Sequence, residues 1–330
     1  MKLGLDLYSV RSQGWSAMEL LDYCRRIRVN VAHFGLEAFP SLDDDHLRAV
    51  KRHADELGLD VEMGIGSICE TSPAFRWERG NAVEQLIMGL RAAELLGSPV
   101  LRCLLGSDAD RRTEVPLGTH IQHTIAALRA VRDRAMDLGI MLAMETHADL
   151  QGWEMRELVE EAGPEFVGVC IDSGNPVRLH EDPMVTLEHL APYVVTSHIR
   201  DSAVWSHPRG AAYQWVAMGD GNVGIEAWAA RYRELCPQAS FTLEILTGTP
   251  PRVLNYLEDD YWRAFPRARA HELARFERLV RRGQPFMGAM VTVERGVATP
   301  PEYEAALVAQ QRHDVERSVL YCREVLGIGE

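Results

Sequence analysis

Glu145 in LAMETH, Asp172 in VCIDSGN, His198 in TSHIRD and Glu244 in TLEIL each close a short apolar run. Three carboxylates and an imidazole forced together in a low-dielectric mouth repel one another unless a cation or protons neutralise them. One divalent ion resolves the repulsion. Oxygen-rich ligation with a single imidazole suits Mn2+ first, with Mg2+ or Co2+ as alternatives, better than a structural zinc, which favours thiolates. Taken singly, each residue has an ordinary explanation. A terminal Asp or Glu commonly caps a helix, Asp172 before Ser173-Gly174-Asn175 being especially suited to it, and a strand His is commonly a hydrogen-bonded core residue. Four such residues on four successive strand ends are harder to explain independently, and metal binding is the expectation.

Bringing four strand ends to one point requires a sheet that closes or converges. Short β-branched or aliphatic runs at 2–8, 30–37, 60–66, 99–105, 140–146, 167–172, 194–199 and 240–246 read as strands. Between them lie helical segments such as 43–57, with Asp43, Asp44 and Asp45 in its first turn, and 120–138. Gly58, Gly97 and Gly139 stand where helices should stop. Eight strand-helix units in roughly 250 residues predict an α/β fold, a (β/α)8 TIM barrel, with active groups at the carboxyl ends of its strands. A doubly wound sheet shares the alternation. Residues 1–246 hold the barrel strands and the site. Residues 247–330 form a C-terminal helical extension of the same domain, with helices at 267–282 and 302–326, one of which closes the barrel, and a Gly/Pro-rich connection at 283–301.

With these residues in place, the chain resembles the xylose-isomerase-like sugar isomerase/epimerase superfamily. METH, VCIDSGNP, EDP at 181–183, LAPYVVTSHIRD and the MGDGNVG loop are similar to that family in order and spacing over residues 1–246. The resemblance implies that Glu145, Asp172, His198 and Glu244 are the metal ligands and that Glu145 and Glu244 double as acid/base groups. It implies proton transfer on a keto sugar through a cis-enediolate, giving epimerisation or isomerisation. A lyase built on the same layout is the alternative, eliminating from a 3-keto sugar as C-glycoside deglycosidases do, or decarboxylating an oxidised sugar. The related endonuclease branch carries extra histidines; here Asn175 and GDGN at 219–222 stand in those places, which leaves a single metal site.

Weaker candidates surround these four. His147 follows Glu145 by two and is a candidate proton shuttle or substrate contact. Arg200 is placed to hold a sugar oxygen or to pair with Asp201. Trp205, His207 and Trp215, in the long connection after the seventh strand, offer aromatic walls or simple loop packing. Glu37 and Arg102 point toward the mouth as substrate contacts or as an interior ion pair, and Trp15 completes an apolar wall or packs on the surface.

Gly219, Gly221 and Gly224 read as G-x-G-x-x-G, so an NAD-binding oxidoreductase is a minor alternative. That fingerprint belongs at the first βαβ unit, whereas five strands here precede it without a use; a mobile glycine loop beside the metal is the simpler reading. A sugar-binding protein with an inherited pocket is the non-enzymatic alternative. The formal charge of −13 argues against nucleic acid. No run of eighteen apolar residues suggests a membrane partner, and six scattered cysteines read as reduced, buried thiols. The expected protein is cytoplasmic, acts on a small carbohydrate or keto-glycoside, and forms a homo-oligomer, with a smaller partner subunit as a further option.

Overall fold

The computed structural model describes residues 1–293 and 296–329; residues 294–295 of the expected 283–301 connection, and residue 330, lie outside the described residues. Seven strands lead off in chain order: β1 (Leu3–Asp6), β2 (Val31–Gly35), β3 (Asp60–Ser67), β4 (Val100–Leu104), β5 (Met141–Glu145), β6 (Val167–Asp172) and β7 (Val194–His198). A hairpin of β8 (Asp201–His207) and β9 (Gly210–Val216) follows before β10 (Phe241–Leu243), the eighth barrel strand. The parallel order is β10-β1-β2-β3-β4-β5-β6-β7. At the seam the Ile199 N–H donates to the Thr242 carbonyl at 2.7 Å and the Glu244 N–H donates to the Ile199 carbonyl at 2.9 Å, so β7 meets β10. This is the expected TIM barrel.

Helices cover it because the strands are apolar on both faces; every residue of β1, β2 and β6 is buried. They are α1 (Ala17–Arg26), α2 (Asp44–Leu57), α3 (Ala82–Leu96), α4 (Leu117–Ala130), α5 (Arg132–Leu138), α6 (Gly152–Ala162), α7 (Pro183–Leu190) and α8 (Ile225–Leu235). Gly58, Gly97 and Gly139 end α2, α3 and α5 with φ of 68, 68 and 66°, a region closed to most side chains. The helix expected over 120–138 is two. Val131, at φ −112° and ψ 11°, breaks it, and the offset keeps Leu128, Val131 and Ala135 all buried against the barrel. All six cysteines are free and buried, as expected.

The connection after the seventh strand is not a loop. Pro208 and Arg209 turn β8 back into β9, and β11 (Arg252–Leu254) pairs antiparallel with β9. This three-stranded sheet packs Val204, Tyr213 and Trp215 against Tyr256, Tyr261 and Phe265, and against Phe276 and Val280 of α9 (Ala270–Arg282), forming a second core. The barrel-closing helix is α10 (Pro301–Glu324), whose Val315, Val319 and Cys322 join the main core. No helix among the described residues is long and apolar enough to cross a membrane.

The GDGN loop is fastened rather than mobile. The amides of Gly219 and Gly221 donate to Asp201 Oδ2 at 3.1 and 3.0 Å, Asn222 exchanges hydrogen bonds with the Val204 backbone, and Asp220 pairs with Arg317. The strand before it, β9, is antiparallel, which removes the dinucleotide reading because that fingerprint needs a parallel βαβ unit.

The loops that follow β5 and β6 are tied together by Glu181, which lies between β6 and α7. Its buried carboxylate receives the Gly152 amide at the start of α6, at 3.1 Å to each oxygen, and the Thr186 hydroxyl at 2.7 Å. Burial pushes it from its usual 4.5 up to about 7. The folded chain therefore holds a proton that the unfolded chain releases. This contribution to stability is complete below about pH 4.5 and is lost as pH rises through 7. Glu181→Gln should flatten the fall in stability across that window, as read by denaturant unfolding at a series of pH values.

Candidate active site

The barrel strands deliver four acids to one end: Asp6 closes β1, Glu145 closes β5, Asp172 closes β6, and Glu244 follows β10. His198, closing β7, stands among them, in register with Asp172 on the neighbouring strand. Its Nδ1 lies 3.5 Å from Glu145 Oε1 and 3.7 Å from Glu244 Oε2, and its Nε2 lies 3.0 Å from Asp6 Oδ2. One ligand atom from each of Glu145, His198 and Glu244 falls within 4.8 Å of the others. Glu145 Oε1 and His198 Nδ1 are buried without a hydrogen-bond partner, and a carboxylate oxygen and an imidazole nitrogen of that kind fit a divalent ion.

Asp172 does not join this triad directly. Its Oδ1 receives the amides of Gly174 and Asn175 at 2.6 and 2.7 Å, so this oxygen caps the turn. The other oxygen pairs with Arg200, whose same nitrogen also pairs with Glu244. Arg200 therefore bridges two of the expected ligands; it does not pair with Asp201, which holds the glycine loop instead. The guanidinium is clamped, lying 4.6 Å from the Trp215 ring centre and against Gly174. A Cβ on Gly174 would stand 2.2 Å from Arg200 Cγ, so glycine is required there by close approach. The indole of Trp215 donates to the Gly174 carbonyl at 2.9 Å and completes the clamp.

The charges adjust to one another. Burial alone would raise Asp6 and Glu145, but His198 holds both well below the usual carboxylate range, with Arg102 and, for Glu145, His147 adding to the pull. In return, Asp6 and Glu145 outweigh burial and hold His198 well above its ordinary value. Arg102 on β4 brings Nε to 3.5 Å from Glu145 and donates from Nη1 to the Ile65 carbonyl at 2.8 Å. For Glu244 burial prevails over Arg200 and His198 and raises it to about 7.

A cavity of about 810 Å³ opens onto Glu145 and Glu244. His147, Glu37, Arg102, Arg200 and Trp215 line it. His147 holds the Gly106 carbonyl through Nδ1 at 2.7 Å, which leaves Nε2 as its free nitrogen. Trp205, His207 and Trp15 are absent from the cavity wall. The hairpin carries Trp205 and His207 to its far end, where His207 Nδ1 accepts the Arg209 amide at 3.2 Å. Trp15 packs on the main core, its ring 4.9 Å from Tyr23. Three contributors escaped the sequence reading: Asp6, His33 beneath it on β2, and Arg178, which lines the cavity beside Asn175. Asp6 was legible in principle, as an acid closing an apolar strand.

Comparison with known proteins agrees with the architecture. The family described as Xylose isomerase-like TIM barrel matches residues 7–262. The chain is 25% identical over 192 residues to 3-oxo-isoapionate decarboxylase of Pectobacterium atrosepticum, a stretch covering 58% of this chain and 62%, under two thirds, of that enzyme. Its fold is similar to that of D-psicose 3-epimerase determined in the presence of D-fructose, with a TM-score of 0.65, 14% identity, and coverage of 99% of this chain and 100% of the other. A xylose isomerase-like TIM barrel protein from Mycobacterium smegmatis, determined with magnesium, gives a TM-score of 0.58 at 15% identity over 84% of this chain and 96% of its own.

Removing the guanidinium that Asp172 and Glu244 share leaves two buried carboxylates without their common partner. Arg200→Leu should cost about 3–5 kcal/mol of stability. The shift of the chemical-denaturation midpoint in metal-free buffer measures it.

Proposed function

The chain belongs to the xylose isomerase-like TIM-barrel family, and we propose that it is an enzyme of that family, a divalent-metal-dependent isomerase or epimerase of a keto sugar or sugar derivative. The observation that carries this reading is the convergence of Glu145, His198 and Glu244, with Glu145 Oε1 and both ring nitrogens of His198 buried without a hydrogen-bond partner, and with the two glutamates lining the cavity. When bound to these residues, a divalent ion such as Mn2+ supplies Lewis-acid polarisation of a carbonyl and its neighbouring hydroxyl, acidifying the C–H of the hydroxyl-bearing carbon.

The remaining work falls to side chains. Glu145 and Glu244 stand on different strands, so one removes the proton and the other returns it. Return to the opposite face gives the epimer, and return to the adjacent carbon gives the isomer. Arg102, with Nε 3.5 Å from Glu145, favours the ionised carboxylate that a cation or a proton would meet. Asp6 Oδ2 lies 3.0 Å from the far nitrogen of His198, and its charge favours the ring orientation in which Nδ1 faces the two glutamates. His147 offers Nε2 to a substrate oxygen.

A second reading, favoured by the similarity to the decarboxylase, keeps the same groups and changes the bond that breaks. In a keto acid whose carboxylate sits β to the carbonyl, the C–C bond breaks, CO2 leaves, and its electron pair forms the enolate that one of the glutamates then protonates.

Mn2+-reconstituted protein in D2O, given a panel of ketoses and 3-keto glycosides, should place deuterium at the carbon beside the carbonyl. Glu145→Gln and Glu244→Gln should each lower the exchange rate by about 10²–10⁴-fold. Exchange that survives chelation would overturn the proposal, and release of CO2 or an aglycone with no epimer would select the lyase. Asp6→Asn should weaken Mn2+ binding by about 10–100-fold, read by calorimetry with no substrate present.

A further inference from the structure

The cavity also presents donors that its carboxylates leave open. Among the described residues, Asn175 Nδ2, Arg178 Nε, and Arg200 Nε and Nη1 are buried without a hydrogen-bond partner, and all three residues line the cavity. Each arginine engages Nη2 and leaves at least one other donor nitrogen open. Arg178 uses Nη2 on Asp108, and Arg200 uses Nη2 on Asp172 and Glu244. Arg11 and Arg252 line the same space. Arg11 donates to the carbonyls of Tyr8 and Thr247 at 3.1 and 3.3 Å, and Arg252 stands on β11, the strand added by the hairpin sheet.

Every one of these open atoms is a donor. Buried donors without acceptors are costly, and an oxyanion brings several acceptor oxygens that separate donors can share. The chain as a whole carries a net charge of −13, so this concentration of arginine is local and set against the general field. The geometry points to a substrate that carries an anionic group, carboxylate or phosphate, seated on Asn175, Arg178 and Arg252, with Arg200 between that group and the glutamates. This rests on the keto-sugar reading above and narrows it to sugar acids or sugar phosphates.

Three ketose probes of matched size test it: D-fructose, D-fructose 6-phosphate and 5-keto-D-gluconate, each titrated calorimetrically into the full chain with Mn2+ present. At least one anionic probe should bind ten-fold or more tightly than D-fructose at low salt, and the advantage should shrink at high salt. The two anionic arms tell carboxylate from phosphate. Arg178→Gln and Arg252→Gln should each reduce the anionic-to-neutral affinity ratio about five-fold or more; Arg252 is exposed on a short strand, so its variant keeps the test open if Arg178→Gln misfolds. Equal affinity for all three probes, no measurable binding of either anion at millimolar concentration, or variants that leave the ratio unchanged would overturn the inference. The same samples in D2O read the parent reading separately, because absent exchange with a preserved affinity ratio would remove the proton-transfer chemistry and leave the anion site standing.

Discussion

Four carboxylates, Asp6, Glu145, Asp172 and Glu244, lie at one end of the barrel, each less than a tenth exposed, and Arg102, Arg200 and His198 offset part of their charge inside the chain. At 3.5 Å and an effective dielectric near 20, such an attraction is worth roughly 4–5 kcal/mol before desolvation is subtracted, so no member can be moved without disturbing the rest. That constraint explains details with no meaning in isolation. Gly174 is glycine because Arg200 lies against it, Trp215 is tryptophan because it covers the guanidinium and reaches the Gly174 carbonyl, and Asp172 divides its oxygens between a turn and an arginine.

Much of this arrangement was readable from the chain. Parallel strands buried on both faces announce themselves as apolar runs, and a polar residue at the end of such a run is conspicuous; Glu145, Asp172, His198 and Glu244 were found that way. Asp6 obeys the same rule in the structure, but in the sequence Leu7 and Tyr8 carry the apolar run past it, so it reads as a residue inside a strand over 2–8 and not as its end. Arg178 and Arg252 carry no such signal. They sit on irregular or added elements, where neither period 2 nor period 3.6 says which way a side chain faces, and only the tertiary path of the hairpin sheet brings them to the cavity.

The hairpin itself hid behind its composition. DSAVWSH and GAAYQWV mix small, polar and aromatic residues, so the alternation is faint, although the Pro208-Arg209-Gly210 turn between two runs rich in Trp, Tyr and Val is a strand signal in retrospect. Its effect on the site is large. Trp215 reaches the arginine clamp while Trp205, ten residues earlier on the opposing strand, does not line the cavity, so residues alike in type were separated by register alone. The hairpin between the seventh and eighth barrel strands thus contributes to the cavity wall, while the acids stand at the ends of the barrel strands themselves; on the proposed function, substrate contacts and reacting groups come from different layers of the fold.

The last helix has a temporal consequence. α10 lies against the segment following β1: Gln13 donates to the Val308 carbonyl at 2.7 Å, Arg323 reaches the Ile27 carbonyl at 3.0 Å, and Gly329 stops beside Leu3. Segments 295 and 296 residues apart thus cover the same stave. A ribosome delivers these partners far apart in time, so the emerging chain keeps an apolar flank of β1 unshielded until α10 has been made. That flank is covered only after all eight barrel strands exist.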